Sequence, residues 1–142
     1  VSVINTLKGS FAMPATIEIS KRDELITWTL RGRITPPEVH RNMEELRAHP
    51  EWSARYNQIF IMEDTDLSAL SAAEIDRLIL MFADTDDGLT YKSRGRSALV
   101  CSDPLAQAIL VYCEHKARML RIQQKQVFRS ARNARNWLLQ PA

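Results

Sequence analysis

The 142-residue chain predicts an α/β fold, a mixed five-stranded sheet packed with helices in the order β-β-α-β-α-β-α-β-α. Three observations carry this. Apolar and polar residues alternate in two adjoining segments, Ile17 and Ile19, then Ile26, Trp28 and Leu30, which is the period of strands with one buried face. Later segments open on a capping residue and continue at helical spacing. Between them lie short continuous apolar runs, which suit strands covered on both faces. Strands that alternate with helices need crossover connections, and these give a largely parallel sheet, here with an antiparallel first strand.

The elements follow in order. Residues 1–14 show no sustained period and are expected to form a mobile arm ahead of a single domain over 15–142. Lys21 to Glu24 makes the polar turn of the opening hairpin. Thr35-Pro36-Pro37-Glu38 supplies a capping hydroxyl, proline at the first helical position and an acid three residues on; Val39, Met43 and Leu46 then continue the helix until Pro50. Ile59 to Met62 is the central strand. Ser71-Ala72-Ala73-Glu74 repeats the capping box before Ile75, Leu78, Ile79 and Phe82, and Asp84 to Gly88 ends that helix. Ser97 to Cys101 is a further strand, Ser102-Asp103-Pro104 opens a helix to about Arg121, and Val127-Phe128 forms the last strand. Ser130 caps a final helix with Ala131, Ala134 and Leu138 facing inward.

Composition narrows the class. With 45% hydrophobic and 25% charged residues, the chain is neither disordered nor collagenous nor a membrane protein, and it is long enough to bury a core without disulfides or a structural metal. Its net charge of +2 hides an asymmetry. Residues 1–114 carry 12 basic and 17 acidic groups, whereas 115–142 carry seven basic and none acidic. Cys101 and Cys113 form no Cys-x-x-Cys and have no histidine at ligand spacing, so they read as reduced, buried thiols of a cytoplasmic protein. No signal-peptide pattern or membrane-length apolar run is present.

Several phrases, taken in order, resemble the SpoIIAA-like branch of the STAS proteins, relatives of the anti-sigma-factor antagonists that share a fold with lipid-binding CRAL-TRIO domains. They are Ile26-Thr27-Trp28-Thr29-Leu30-Arg31-Gly32, Thr35-Pro36-Pro37-Glu38, Asp66-Leu67-Ser68-Ala69-Leu70-Ser71, Ala98-Leu99-Val100, and Val127-Phe128-Arg129 with Trp137-Leu138. They cover about residues 15 to 139. The resemblance implies the fold more than a role, because fold alone does not specify function. In the antagonists a serine opening the helix after the central strand is phosphorylated, nine or ten residues beyond an Asp-Leu. Here Ser71 follows Asp66 by five, without a serine pair or glycine. The last helix also departs from the acidic one common in the branch, since Arg132 and Arg135 occupy its outer positions.

Candidate chemistry gathers at the ends of the central strands. Asp64, Asp66 and Ser68 form an Asp-x-Asp-x-Ser after a buried strand, where phosphotransferases of the haloacid-dehalogenase type keep a nucleophile and Mg²⁺ ligands. That chemistry needs a downstream lysine and a further acidic pair in a larger domain, and too little chain follows this strand, so a solvated acidic loop is the simpler reading. Ser71 reads as a helix cap; the competing reading is a phosphate or ligand site at a helix N-terminus. Ser102 and Asp103 would complete the same crevice, whose carboxylates would repel an anion. His40, His49 and His115 are expected on separate helices and join no nucleophile motif, and Asp84, Asp86 and Gly88 imitate half a calcium loop whose glutamate position is Gly95. No metal or cofactor is expected. The basic residues Arg118, Arg121, Lys125, Arg132 and Arg135 read as a solvated face, and without interleaved aromatic residues nucleic acid is not the expected partner.

The chain is therefore expected to be a non-enzymatic regulatory or protein-interaction domain. Two alternatives stand beside this: a module holding a small apolar or lipid-like ligand between sheet and helices, and a small Mg²⁺-dependent hydrolase using Asp64 and Asp66. In the helix from Pro104, one apolar ridge (Leu105, Ala108, Ile109, Tyr112, Met119) is expected to pack on the sheet. A second ridge (Leu110, Cys113, Ala117, Leu120) is then left either to a neighbouring helix of the same chain or to a partner, and a homodimer is favoured.

Overall fold

The central sheet runs in simple sequence order. The computed structural model describes residues 2–5, 15–83 and 94–141. Its strands are β1 (Ser2–Asn5), β2 (Ala15–Ser20), β3 (Leu25–Arg33), β4 (Asn57–Asp66), β5 (Ser97–Val100) and β6 (Lys125–Phe128), hydrogen-bonded as β1-β2-β3-β4-β5-β6. The helices are α1 (Pro36–Ala48), α2 (Ala72–Ala83), α3 (Pro104–Met119) and α4 (Ala131–Leu139). The five strands expected from the pattern are all present, with β2 antiparallel to β3 and the pairs from β3 to β6 parallel. The expectation for the first residues is corrected. Ser2–Asn5 pair antiparallel with β2 as a sixth, edge strand. Its four residues are too few to reveal a strand by periodicity. The rest of the expected arm and the turn at Asp84 to Gly88 lie outside the described residues.

Each parallel step moves in the same direction across the sheet, so crossovers of one hand lay α1, α2 and α3 on a single face. That face is built by alternate residues: Ile17 and Ile19, Ile26, Trp28 and Leu30, Phe60, and Leu99, all buried. Met43 and Leu46 of α1 and Ala106 and Leu110 of α3 close over them. The opposite positions, Ile59, Ala98 and Val100, pack against Ala134 and Leu138 of α4, with Phe128 and Trp137 beside them at 5.6 Å between ring centroids. The two-sided burial of β4 and β5 explains their continuous apolar sequences.

Local chemistry sets the helix ends. Asp103 accepts from Ala106 N at 2.9 Å and Ser130 from Asn133 N at 3.2 Å, which fixes the starts of α3 and α4. At α1 the expected hydroxyl cap is replaced. Pro37 removes one of the two N–H groups a cap would serve, and Thr35 Oγ1 instead donates to Glu38 Oε1 at 3.0 Å. The outer edge of β6 is blocked by its own chain, since Val127 N donates to Glu114 Oε2 at 2.8 Å, a contact that discourages pairing with another strand.

The phase of α3 differs from the sequence expectation. Leu110 and Ala117 are buried at 5% and 0% exposure and Cys113 is half-buried, whereas Leu105 and Met119 are 72% and 67% exposed. The ridge expected at a partner surface therefore packs inside, apart from exposed Leu120, and most of the ridge expected on the sheet faces out. Ala106 and Ala117 explain the choice: small side chains let the helix approach the sheet and α2, whereas Leu105 and Met119 on that side would hold it away.

Candidate functional site

Beneath α1, α2 and α3 the packing is incomplete. Trp28, Leu30, Phe60, Met62 and Leu99 from the sheet meet Val39 of α1, Ile75, Leu78 and Ile79 of α2, and Ile109, Leu110 and Cys113 of α3 around a cavity of about 120 Å³. Trp28 stacks on Phe60 at 5.0 Å between centroids and donates from Nε1 to Gln58 Oε1 at 2.9 Å, which fixes the floor. Apolar cavities of roughly 150 Å³ stay dry and accept a molecule of benzene size. This chamber is of that order.

Among the described residues one charged side chain lines it. Lys125 opens β6 and shares a face with Val127, because strand side chains alternate. Its Nζ lies 6.0 Å from the Phe60 ring centroid and donates to Gln123 Oε1 at 3.0 Å. Gln123 is itself buried and oriented, since its Nε2 donates to Gly95 O at 2.6 Å. Across the ladder the same face carries Ser97 opposite Lys125 and Gln58 opposite Ser97, a polar row at the start of three strands. The Ser97 hydroxyl is fully buried and finds no hydrogen-bond partner among the described residues.

Desolvation pushes the Lys125 ammonium down to about 8, partly offset by the nearby Cys113, and desolvation pushes the Cys113 thiol up to about 11, partly offset by Lys125. The consequences for stability have opposite signs. Between pH 8 and the ordinary lysine value of 10.5, the unfolded chain binds more protons than the folded one, so stability rises with pH. Between the ordinary thiol value of 9.0 and pH 11, the folded chain holds the extra proton and stability falls. Urea titrations are therefore expected to show a gain from about pH 8 to 9 that flattens above 9. Lys125→Met should remove the gain and leave the fall; an unchanged profile would contradict the assignment.

The residues singled out in the sequence are dispersed relative to this chamber. Asp64 is the extra residue of a bulge: Arg31 lies opposite Glu63 but Gly32 opposite Thr65, and Asp64 takes a positive φ of 48°. Asp66 accepts from Ser68 N at 2.9 Å, and its hydrogen bonds to Ser68, aided by Arg33, hold its carboxyl below the usual range. Both carboxylates are exposed, and Asp66 serves a local turn. Among the described residues no group of three His, Cys, Asp or Glu side chains stands at metal-binding spacing.

Ser71 forms a complete capping box. Glu74 N donates to Ser71 Oγ at 3.2 Å and Ser71 N to Glu74 Oε1 at 3.3 Å. Ser71→Ala is expected to cost about 1 kcal/mol in thermal or urea unfolding; a loss below a few tenths would show that the box adds nothing. Ser102 is exposed and Asp103 caps α3, and Asp64, Asp66, Ser68, Ser71, Ser102 and Asp103 contribute nothing to the wall of the chamber. Arg118, Arg121, Arg132 and Arg135 are exposed, but Lys125 is corrected from the basic surface to the chamber wall. Its place was signalled by the alternation Lys125, Val127, which extends the last strand two residues earlier than its apolar pair suggests.

No family model and no curated protein matches the chain. Among solved structures it is similar to an uncharacterized protein of the DUF3478 family with a SpoIIAA-like fold from Shewanella loihica PV-4, at 16% identity and a TM-score of 0.52. The likeness covers 89% of this chain and 94% of the other.

Proposed function

We propose that this chain, whose fold is SpoIIAA-like, is a binding module that holds a small apolar molecule between its sheet and helices α1 to α3. The observation that supports the reading is the chamber itself, about 120 Å³ and walled, among the described residues, by apolar side chains apart from Lys125. Interiors are ordinarily packed to the density of organic crystals, so a void of this size forgoes stability that tighter packing would provide. A ligand restores those contacts. The test is native mass spectrometry of the freshly purified protein for a retained small molecule, together with melting in the presence of 1-hexanol as an apolar probe. A retained mass, or a melting temperature that rises with probe concentration as linkage requires, supports the reading. A bare chain that millimolar hexanol leaves unmoved overturns it.

A second reading keeps the expected regulatory or interaction role, and a different observation favours it. The outer side of α3 carries Leu105, Val111 and Met119 at 72%, 50% and 67% exposure, with Tyr112 beside them. Clustered exposed apolar side chains of this kind mark partner surfaces. The basic last 28 residues and the net-acidic remainder are complementary across a two-fold axis, which favours a second copy of the chain. Light scattering at micromolar concentration is expected to give the mass of two chains, reduced to one by Met119→Glu. A wild-type mass of one chain at every concentration would remove the homodimer.

A further inference from the structure

The chamber wall carries a primary amine as well as hydrocarbon. We propose that the chamber captures a short apolar aldehyde as an imine on Lys125, with a tail of about five carbons lying against Phe60, Met62 and Leu99 beneath the helices. This rests on the reading of the chamber as a binding site and names its ligand class.

Three features point to a carbonyl ligand. Lys125 occupies an inward strand position on the chamber wall, where a long apolar residue would fill the space without burying an amine. Its nitrogen is fixed by the protein before any ligand arrives: Gln123 Oε1 accepts from Nζ at 3.0 Å, and Gln123 is itself held through its Nε2 by Gly95 O at 2.6 Å. The third feature separates the two nucleophiles that the described wall contains, Lys125 and Cys113. Desolvation pushes the Cys113 thiol up to about 11, so it keeps its proton and the reactive thiolate is scarce, whereas desolvation pushes the Lys125 ammonium down to about 8, so the amine with its lone pair is populated near neutral pH. A lysine desolvated in an apolar pocket is the activated form of this side chain. An apolar aldehyde fits both parts of the site. Its tail takes up the void, and its carbonyl carbon receives the nitrogen lone pair to form a C–N bond. The C–O bond then breaks and the oxygen leaves as water with both amine hydrogens, giving C=N without an oxidant or reductant. Loss of that oxygen also means that no polar atom of the ligand has to be buried without a partner.

The experiment treats the full chain at about pH 7 with pentanal and sodium cyanoborohydride, which reduces an imine to a stable amine, and maps the pentyl label by peptide mass spectrometry. Lys125 is expected to carry at least about tenfold more label than any other lysine, since an ordinary lysine is neutral in about one molecule in several thousand at this pH and one titrating at about 8 in about one in ten. Millimolar 1-hexanol should suppress the label on Lys125 and leave the other lysines unchanged. Glycolaldehyde, which has no apolar tail, should show no preference for Lys125, and Lys125→Met should lose the favoured label. Pentanal spread evenly over the lysines, or absent from Lys125, overturns the aldehyde inference, and the apolar chamber still stands if hexanol raises the melting temperature. Labelling of Lys125 that hexanol does not suppress, or that glycolaldehyde reproduces, also overturns it, because the reaction then does not depend on the chamber. If hexanol leaves melting unmoved and pentanal leaves Lys125 unlabelled, both readings fall. Mapping and competition on the wild type keep the test decisive should Lys125→Met alter folding.

Discussion

Gly95→Ala is expected to destabilise the protein by about 4 kcal/mol or more, beyond the range of ordinary substitutions. A Cβ at this position would lie 1.7 Å from Tyr56 O and 2.9 Å from Asn57 N. Both are backbone atoms, held where Asn57 N donates to Glu24 O at 3.0 Å and Gly95 N to Ala54 O at 2.9 Å. Neither can rotate aside, so the chain before β4 or before β5 must shift. The same shift would withdraw Gly95 O from Gln123 and loosen the hold on Lys125. Urea unfolding checks the cost. A loss under about 1 kcal/mol would mean that the close approach relaxes freely.

The second large effect is expected at Arg96, a buried arginine that closes the end of α4. Its NH2 donates to Leu138 O at 2.9 Å and to Gln140 O, its guanidinium lies 4.9 Å from the Trp137 ring centroid, and desolvation lowers its pKa. Asn57 reinforces the joint: its Oδ1 accepts from Arg96 N at 2.9 Å and its Nδ2 donates to Leu138 O at 3.3 Å. The last carbonyls of a helix lack internal partners, and here a cation just ahead of β5 supplies them. Arg96→Met keeps much of the packing but removes the donors, at an expected cost of about 3 kcal/mol from charged hydrogen bonds and ring contact. Hydrogen exchange should rise first in α4, leaving β3 and β4 protected. Uniform loss of protection, or a cost below about 1 kcal/mol, would contradict this local role.

These two positions show where sequence reading stops. Gly95 has no local signature beyond the absence of a side chain, and its importance comes from Tyr56, which the chain brings back 39 residues away. Arg96 reads as one more charge ahead of an apolar run. Both matter through residues distant in sequence, whose proximity only the sheet creates. Asp64 is similar: the Asp-x-Asp spacing is visible, but the bulge that turns Asp64 outward exists only against β3.

What the sequence determined by itself is local and periodic. Alternation in Ile17 to Leu30 defined the hairpin, the Ser71, Asp103 and Ser130 caps started their helices, and continuous apolar runs placed β4 and β5 in the interior. These signals depend on backbone geometry within a few residues, so they survive without the rest of the chain. Tertiary structure decided the phase of α3, the chamber and the place of Lys125. An amphipathic period is ambiguous where both sides of a helix are apolar, as with Leu105 and Met119 against Leu110 and Ala117, and the choice falls to the shapes of the sheet and α2. A void is likewise a property of three helices meeting one face of a sheet, and no single segment encodes it. Lys125 joins that wall because β6 begins at its position, a boundary set by pairing with Ser97 across the ladder.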